Sequence, residues 1–158
     1  MLAVPLHISV VSLYFVNVMK IINHTLHFSA TDLSTHISCA HLTQLKLKVV
    51  KGELKAPEYY AADLVLLRQK GEELERNFLE SLKAEGRSVV EIQRDDRDAG
   101  AKTLEAMKQG VDVIYQARLK EGNWSGWTDF LVKVDRHSKV LGPWSYEVLD
   151  TKLARETK

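Results

Sequence analysis

The clearest periodicity in the chain runs from Asp63 to Ala84, where Leu64, Leu67, Leu74, Phe78 and Leu82 recur at three-, four- and seven-residue spacings. That spacing predicts an amphipathic helix with one apolar stripe. Gly86 follows where a C-cap residue belongs. Gly71 lies inside the helix at a cost of about 1 kcal/mol relative to alanine, which predicts a close approach by another group. Upstream, Leu33, Ile37, Ala40, Leu45 and Leu47 give a partly helical pattern. It is entered at Ser29, with Asp32 three residues on as the acidic partner of a capping box.

The second half of the chain changes period. Ser88 to Gln93 alternates as a strand does, Arg94 to Gly100 reads as a charged loop, and Thr103 to Gln109 reads as a short helix stopped by Gly110. Val111 to Leu119 is a strong strand whose period of two places Val111, Val113, Tyr115, Ala117 and Leu119 on one face. A turn at Glu121-Gly122-Asn123 leads into a strand from Trp124 to Val134. After a polar loop from Asp135 to Pro143, the last strand covers Trp144 to Leu153. Short connections between these three strands predict an antiparallel meander. The fold class expected is therefore mixed α/β (α+β), with helices preceding a three-stranded meander.

Composition adds limits. The 158 residues are enough for one domain with a real core, and a 45% apolar content is ordinary for a soluble chain. A net charge of +1 gives no global signal for nucleic acid, although it says nothing about local patches. The single cysteine, Cys39, excludes an internal disulfide framework and a cysteine-only metal site, and it suits a reducing cytoplasm. Residues 1–18 are largely apolar but carry no Lys or Arg, so they lack the positive start of a secretory signal. They also fall short of the roughly 20 apolar residues that span a bilayer. Residues 1–27 read as an extension outside the core, and residues 28–158 as the domain; no membrane association is expected.

The candidate chemistry sits in the last two strands. Asp150 and Lys152 are two residues apart, so a strand places them on one face. Asp129 lies in the preceding strand, followed by Phe130, Leu131 and Val132. A carboxylate in such apolar company needs a partner, a strand end or a metal. Two strand acids can converge on one hard cation, which takes oxygen ligands and keeps several waters. The lysine can then orient a water or steady developing charge. The plain alternative is a surface ion pair between Asp150 and Lys152, worth about 0–1 kcal/mol. Elsewhere the plain readings prevail. Cys39 reads as a small buried residue between surface histidines His36 and His41. Tyr59 and Tyr60 beside Lys51 and Lys55 read as a solvated loop rather than a nucleic-acid contact.

These residues lie in segments that resemble a known family. Gly126-Trp127-Thr128-Asp129-Phe130-Leu131, followed by Tyr146 to Arg155, resembles the active-site core of the PD-(D/E)xK nuclease superfamily. With residues 29–34, 39–43 and 51–55 the likeness is to RecB-like nucleases, and it runs from about Phe28 to Lys158. The resemblance implies a restriction-endonuclease-like core, Mg²⁺ or Mn²⁺, and a DNA substrate, single- or double-stranded, in DNA repair or recombination. It implies Asp129 and Asp150 as metal ligands and Lys152 as the catalytic lysine. Glu75, in Gly71-Glu72-Glu73-Leu74-Glu75, matches a third acid of the family and is implied as a third metal ligand, but Leu74 stands where relatives carry histidine. Relatives continue beyond this point into a further helix, whereas six residues follow Lys152 here, so the domain is expected to be incomplete at its C-terminus. A helicase domain or a protein partner is expected to accompany it. With one cysteine, no iron–sulfur cluster is expected. The alternative implied by the same departures is a catalytically impaired nuclease-fold module that binds nucleic acid or a protein.

Overall fold

A computed structural model describes residues 19–57 and 62–151, apart from the side chains of residues 62–64. Lys152, Tyr59 and Tyr60 therefore lie outside the described residues. The chain divides into two compact units, Met1–Tyr59 with Gly122–Ser125, and Tyr60–Glu121 with Gly126–Lys158.

The first unit is small. Strands β1 (Lys20–Ile22) and β2 (Thr25–His27) pair antiparallel. Both turn residues, Asn23 and His24, have positive φ, the conformation that matches the twist of a two-residue hairpin. Helices α1 (Ala30–Ser38) and α2 (Ala40–Val50) follow, broken at Cys39, whose backbone is extended. The expected capping box is present: Ser29 accepts from the Asp32 backbone N–H, and Asp32 accepts from the Ser29 backbone. Asp32 is buried, and Lys46 Nζ lies 3.4 Å from its Oδ1, which offsets part of the burial cost. Cys39 is exposed rather than buried, because the break between the helices carries it away from the contact their faces make. The segment at residues 122–125 belongs here through Phe28, which stacks on Trp124 at 5.1 Å and donates its N–H to the Asn123 carbonyl.

The second unit is a mixed α+β domain. Its sheet has the order β3-β4-β5-β6, made of β3 (Val89–Glu91), β4 (Val113–Glu121), β5 (Trp124–Val134) and β6 (Ser145–Leu149). β3 and β4 are parallel, joined through helix α4 (Ala99–Gln109), and β5 pairs antiparallel with β6. The expected meander is thus extended by a parallel edge strand. Helix α3 (Ala62–Ala84) packs on one sheet face, where Leu79, Leu82, Val113 and Phe130 are buried with Phe78 and Tyr115 against them. α4 covers the other face with Ala99 and Ala106 against Ile114, Ala117 and Leu131. Adjacent residues Phe130 and Leu131 are both buried because both faces of β5 are covered.

Three expectations are corrected here. α4 begins at Ala99, inside the stretch read as a charged loop; its first turn buries alanine, which carries no strong apolar signal. Leu67 is exposed, so the apolar stripe of α3 meets the core only at its C-terminal end, where Leu79 also contributes. And β4 does not keep one face: Val113 and Tyr115 pack toward α3, but Ala117 and Leu119 pack with Ile114 toward α4.

Gly71 needs no close approach either, since a Cβ built there meets nothing within 4 Å. Gly71→Ala should therefore stabilise the protein by about 0.5–1 kcal/mol through helix propensity and a less flexible unfolded chain. Urea denaturation measures it, and a variant no more stable than the parent would show that α3 is constrained there in some other way. No helix among the described residues is long and apolar enough to cross a membrane.

Candidate functional site

β5 and β6 bring the two aspartates together by register. Phe130 pairs with Leu149, the last residue of β6, so Asp129 and Asp150 each lie one residue beyond that pair and beside each other. The last strand was expected to run to Leu153, but it ends before Asp150. Side chains there stand about 5 Å apart at Cβ, and like charges repel. Asp129 is half-buried and Asp150 exposed. The two carboxyl groups stand close enough that Asp150 favours the protonated form of Asp129, while the Thr151 backbone N–H favours its charged form. Burial is the largest cause that pushes the Asp129 carboxyl up, to about 7. The closeness of Asp150 and the negative charges of Glu75 and Asp150 push the same way, and the Thr151 amide opposes them.

Glu75 comes from α3, one helical turn before the core residues Phe78 and Leu79, so it lies on the sheet-facing side. Its charge is felt at Asp129. Its Oε2 accepts hydrogen bonds from Tyr115 Oη at 3.2 Å and Gln116 Nε2 at 2.9 Å. Two consecutive strand residues reach one carboxylate because β4 is irregular there. Gln116 has φ +55°, a left-handed conformation rare for a residue with a side chain. The alternation of β4 breaks at this residue, which is why Ala117 changes face. Gln116 is buried, and its Oε1 accepts from Arg94 Nε at 2.6 Å.

Of the four site residues expected from sequence, Asp129 and Asp150 meet directly. Glu75 is their electrostatic neighbour, engaged by Tyr115 and Gln116, and Lys152 is outside the described residues. Among the described residues no group of three or more His, Cys, Asp and Glu side chains is arranged to hold one metal ion. The aspartate pair nonetheless suits a hard divalent cation: both donors are carboxylate oxygens, and positive charge would relieve their repulsion. The hydroxyls of Thr128 and Thr151, beside the two acids, are buried with no hydrogen-bond partner among the described residues. Such orphaned polar atoms are uncommon, but strand alternation turns them to the sheet face opposite the two acids. The fit to a cation therefore rests on the carboxylates alone, and Mg²⁺ keeps several waters and needs only one or two of them.

Tyr115, Gln116 and Arg94 were not legible as site residues. The available signal was Gln116 itself, a polar residue between Val113, Ile114 and Tyr115 on one side and Ala117 on the other. Compared with protein-family models, with curated proteins and with solved structures, the chain matches none.

Proposed function

We propose that the second unit is a metal-dependent nuclease domain of the RecB-like PD-(D/E)xK kind, with a restriction-endonuclease-like core, hydrolysing DNA phosphodiester bonds in repair or recombination. The observation that carries this reading is the convergence of Asp129 and Asp150 from neighbouring strands, with Glu75 close enough to be felt. Asp129 and Asp150 would hold Mg²⁺ or Mn²⁺. A bound divalent cation supplies charge stabilisation for an attacked phosphodiester and eases deprotonation of water. The chain's own residues do the rest. The two aspartates bind in their charged form, the Thr151 amide favours the Asp129 carboxylate, and Lys152, two residues after Asp150 in the sequence, orients the attacking water and steadies developing charge.

One observation favours a second reading, a nuclease-fold module without catalysis that binds nucleic acid or a protein: Glu75 is bound by Tyr115 and Gln116 instead of grouping with the aspartates. Incubation with single- and double-stranded DNA separates the two. Cleavage in Mg²⁺ or Mn²⁺ and none in EDTA is expected. Salt-dependent DNA binding with no cleavage in either metal would favour the module.

A further inference from the structure

A site of carboxylates repels the phosphates it is meant to act on, so a nucleic-acid site needs a placed cation nearby. Arg94 follows the edge strand β3 and is exposed. Arg68 pairs with Glu72, Arg87 with Glu85 and Arg136 with Glu147, whereas Arg76 and Arg97 are exposed with no ion pair among the described residues. What distinguishes Arg94 is its bond into the site. Arg94 has no ion pair among the described residues, and its Nε instead donates to the neutral amide of Gln116 at 2.6 Å. Its guanidinium carbon also stands 6.0 Å from the centre of the Trp127 ring, where Arg118 approaches to 5.2 Å, a distance at which the ring quadrupole attracts a cation.

Gln116 is the connection. Its amide accepts from the arginine at one end and donates to Glu75 Oε2 at the other. A glutamine can join a cation to an anion in this way because it carries both an acceptor and a donor. It does so from a left-handed backbone that costs about 1–3 kcal/mol and persists only where its surroundings enforce it. We propose that Arg94 is a phosphate-binding residue for a nucleic-acid strand entering the aspartate site, and that Gln116 is the positioning residue that fixes it there. The bond to Gln116 uses Nε, which leaves the guanidinium's terminal nitrogens to donate to phosphate oxygens. This inference rests on the nucleic-acid reading above.

The test is binding of a fluorescently labelled DNA oligonucleotide by the full chain, with Ca²⁺ in place of Mg²⁺, at several NaCl concentrations. Arg94→Ala should weaken binding about tenfold and make the plot of log affinity against log salt shallower by about one unit, as loss of one phosphate contact does. Arg94→Lys should keep the slope, because the charge remains. Arg94→Ala should also melt several degrees lower, because the buried Gln116 amide loses its partner. Binding is therefore compared well below that melting temperature and the slope decides: a purely structural role lowers the melting temperature and leaves the slope alone. An unchanged slope in Arg94→Ala, in a parent protein that cleaves or binds DNA, overturns this inference only. A parent that neither binds nor cleaves DNA overturns the nuclease reading and this inference with it.

Discussion

Asp129→Asn should abolish the metal response of this protein in two measurements at once. In metal-free buffer the parent should lose stability as pH rises from about 4 to about 7. The sign follows from Asp129, whose carboxyl is pushed up to about 7 in the folded state by burial first, then by the closeness of Asp150 and the acidic charges around it. Unfolded, it titrates near 3.9. A group that holds its proton more tightly when folded contributes stability that is fully present below its unfolded pKa. That stability is lost as pH climbs through the folded one. Mg²⁺ or Mn²⁺ binds the deprotonated pair, so the melting temperature gained from metal should grow across the same window. Asparagine cannot ionise, so Asp129→Asn should flatten the metal-free profile and remove the metal-induced shift. In a cleavage assay the loss should be roughly 100- to 1,000-fold, the equivalent of the several kcal/mol of charge stabilisation a cation gives. Asp150→Asn and Lys152→Ala should lose activity comparably. A parent whose melting temperature ignores both pH and metal would remove the aspartate pair from consideration as a cation site. Cleavage retained in Lys152→Ala would remove the lysine from the mechanism.

How much of this was legible depends on the distance over which each feature is determined. The capping box of Ser29 and Asp32 is a local arrangement, and the residues alone specify it. The last two strands were legible as β-rich runs on either side of a polar connection, although β6 ends at Leu149 and not at Leu153, and their register brings Asp129 and Asp150 together. Features set by packing were not. The exposed Leu67 and the buried Leu79 both lie on α3, and only the position of the sheet decides which one the core receives. The break at Gln116 has no local signature, since neither glycine nor asparagine stands there. Its left-handed backbone is stabilised by groups 22 and 41 residues away in sequence, Arg94 and Glu75. A period of two, applied without that break, carries Ala117 and Leu119 to the wrong face of β4. The same long-range bonds hold Glu75, which is why the spacing of acids in the sequence names it as a candidate without revealing that two other side chains already engage it.

Phe130→Ala should cost about 3–5 kcal/mol, the usual penalty for emptying a phenylalanine site in a core. The ring is fully buried between α3 and the sheet, edge-on to Phe78 and tilted against Tyr115, each at 5.1 Å between centroids. Such aromatic pairs contribute about 0.5–1.5 kcal/mol beyond the area they bury. A small domain has only about 5–15 kcal/mol of stability in total, so the variant should unfold at a much lower urea concentration. Phe130→Leu keeps most of the volume, and its loss should be well below that of alanine. Phe130 also sits between Asp129 in sequence and Tyr115 in space, and Tyr115 Oη donates to Glu75. In the leucine variant, which should remain folded, Tyr115 loses its aromatic neighbour. Cleavage should then fall more than stability does if that ring sets the position of Glu75. Urea titration and a cleavage assay on the same samples distinguish the two effects. An alanine variant less than about 1 kcal/mol weaker than the parent would mean that Phe130 is not the centre of the packing between α3 and the sheet.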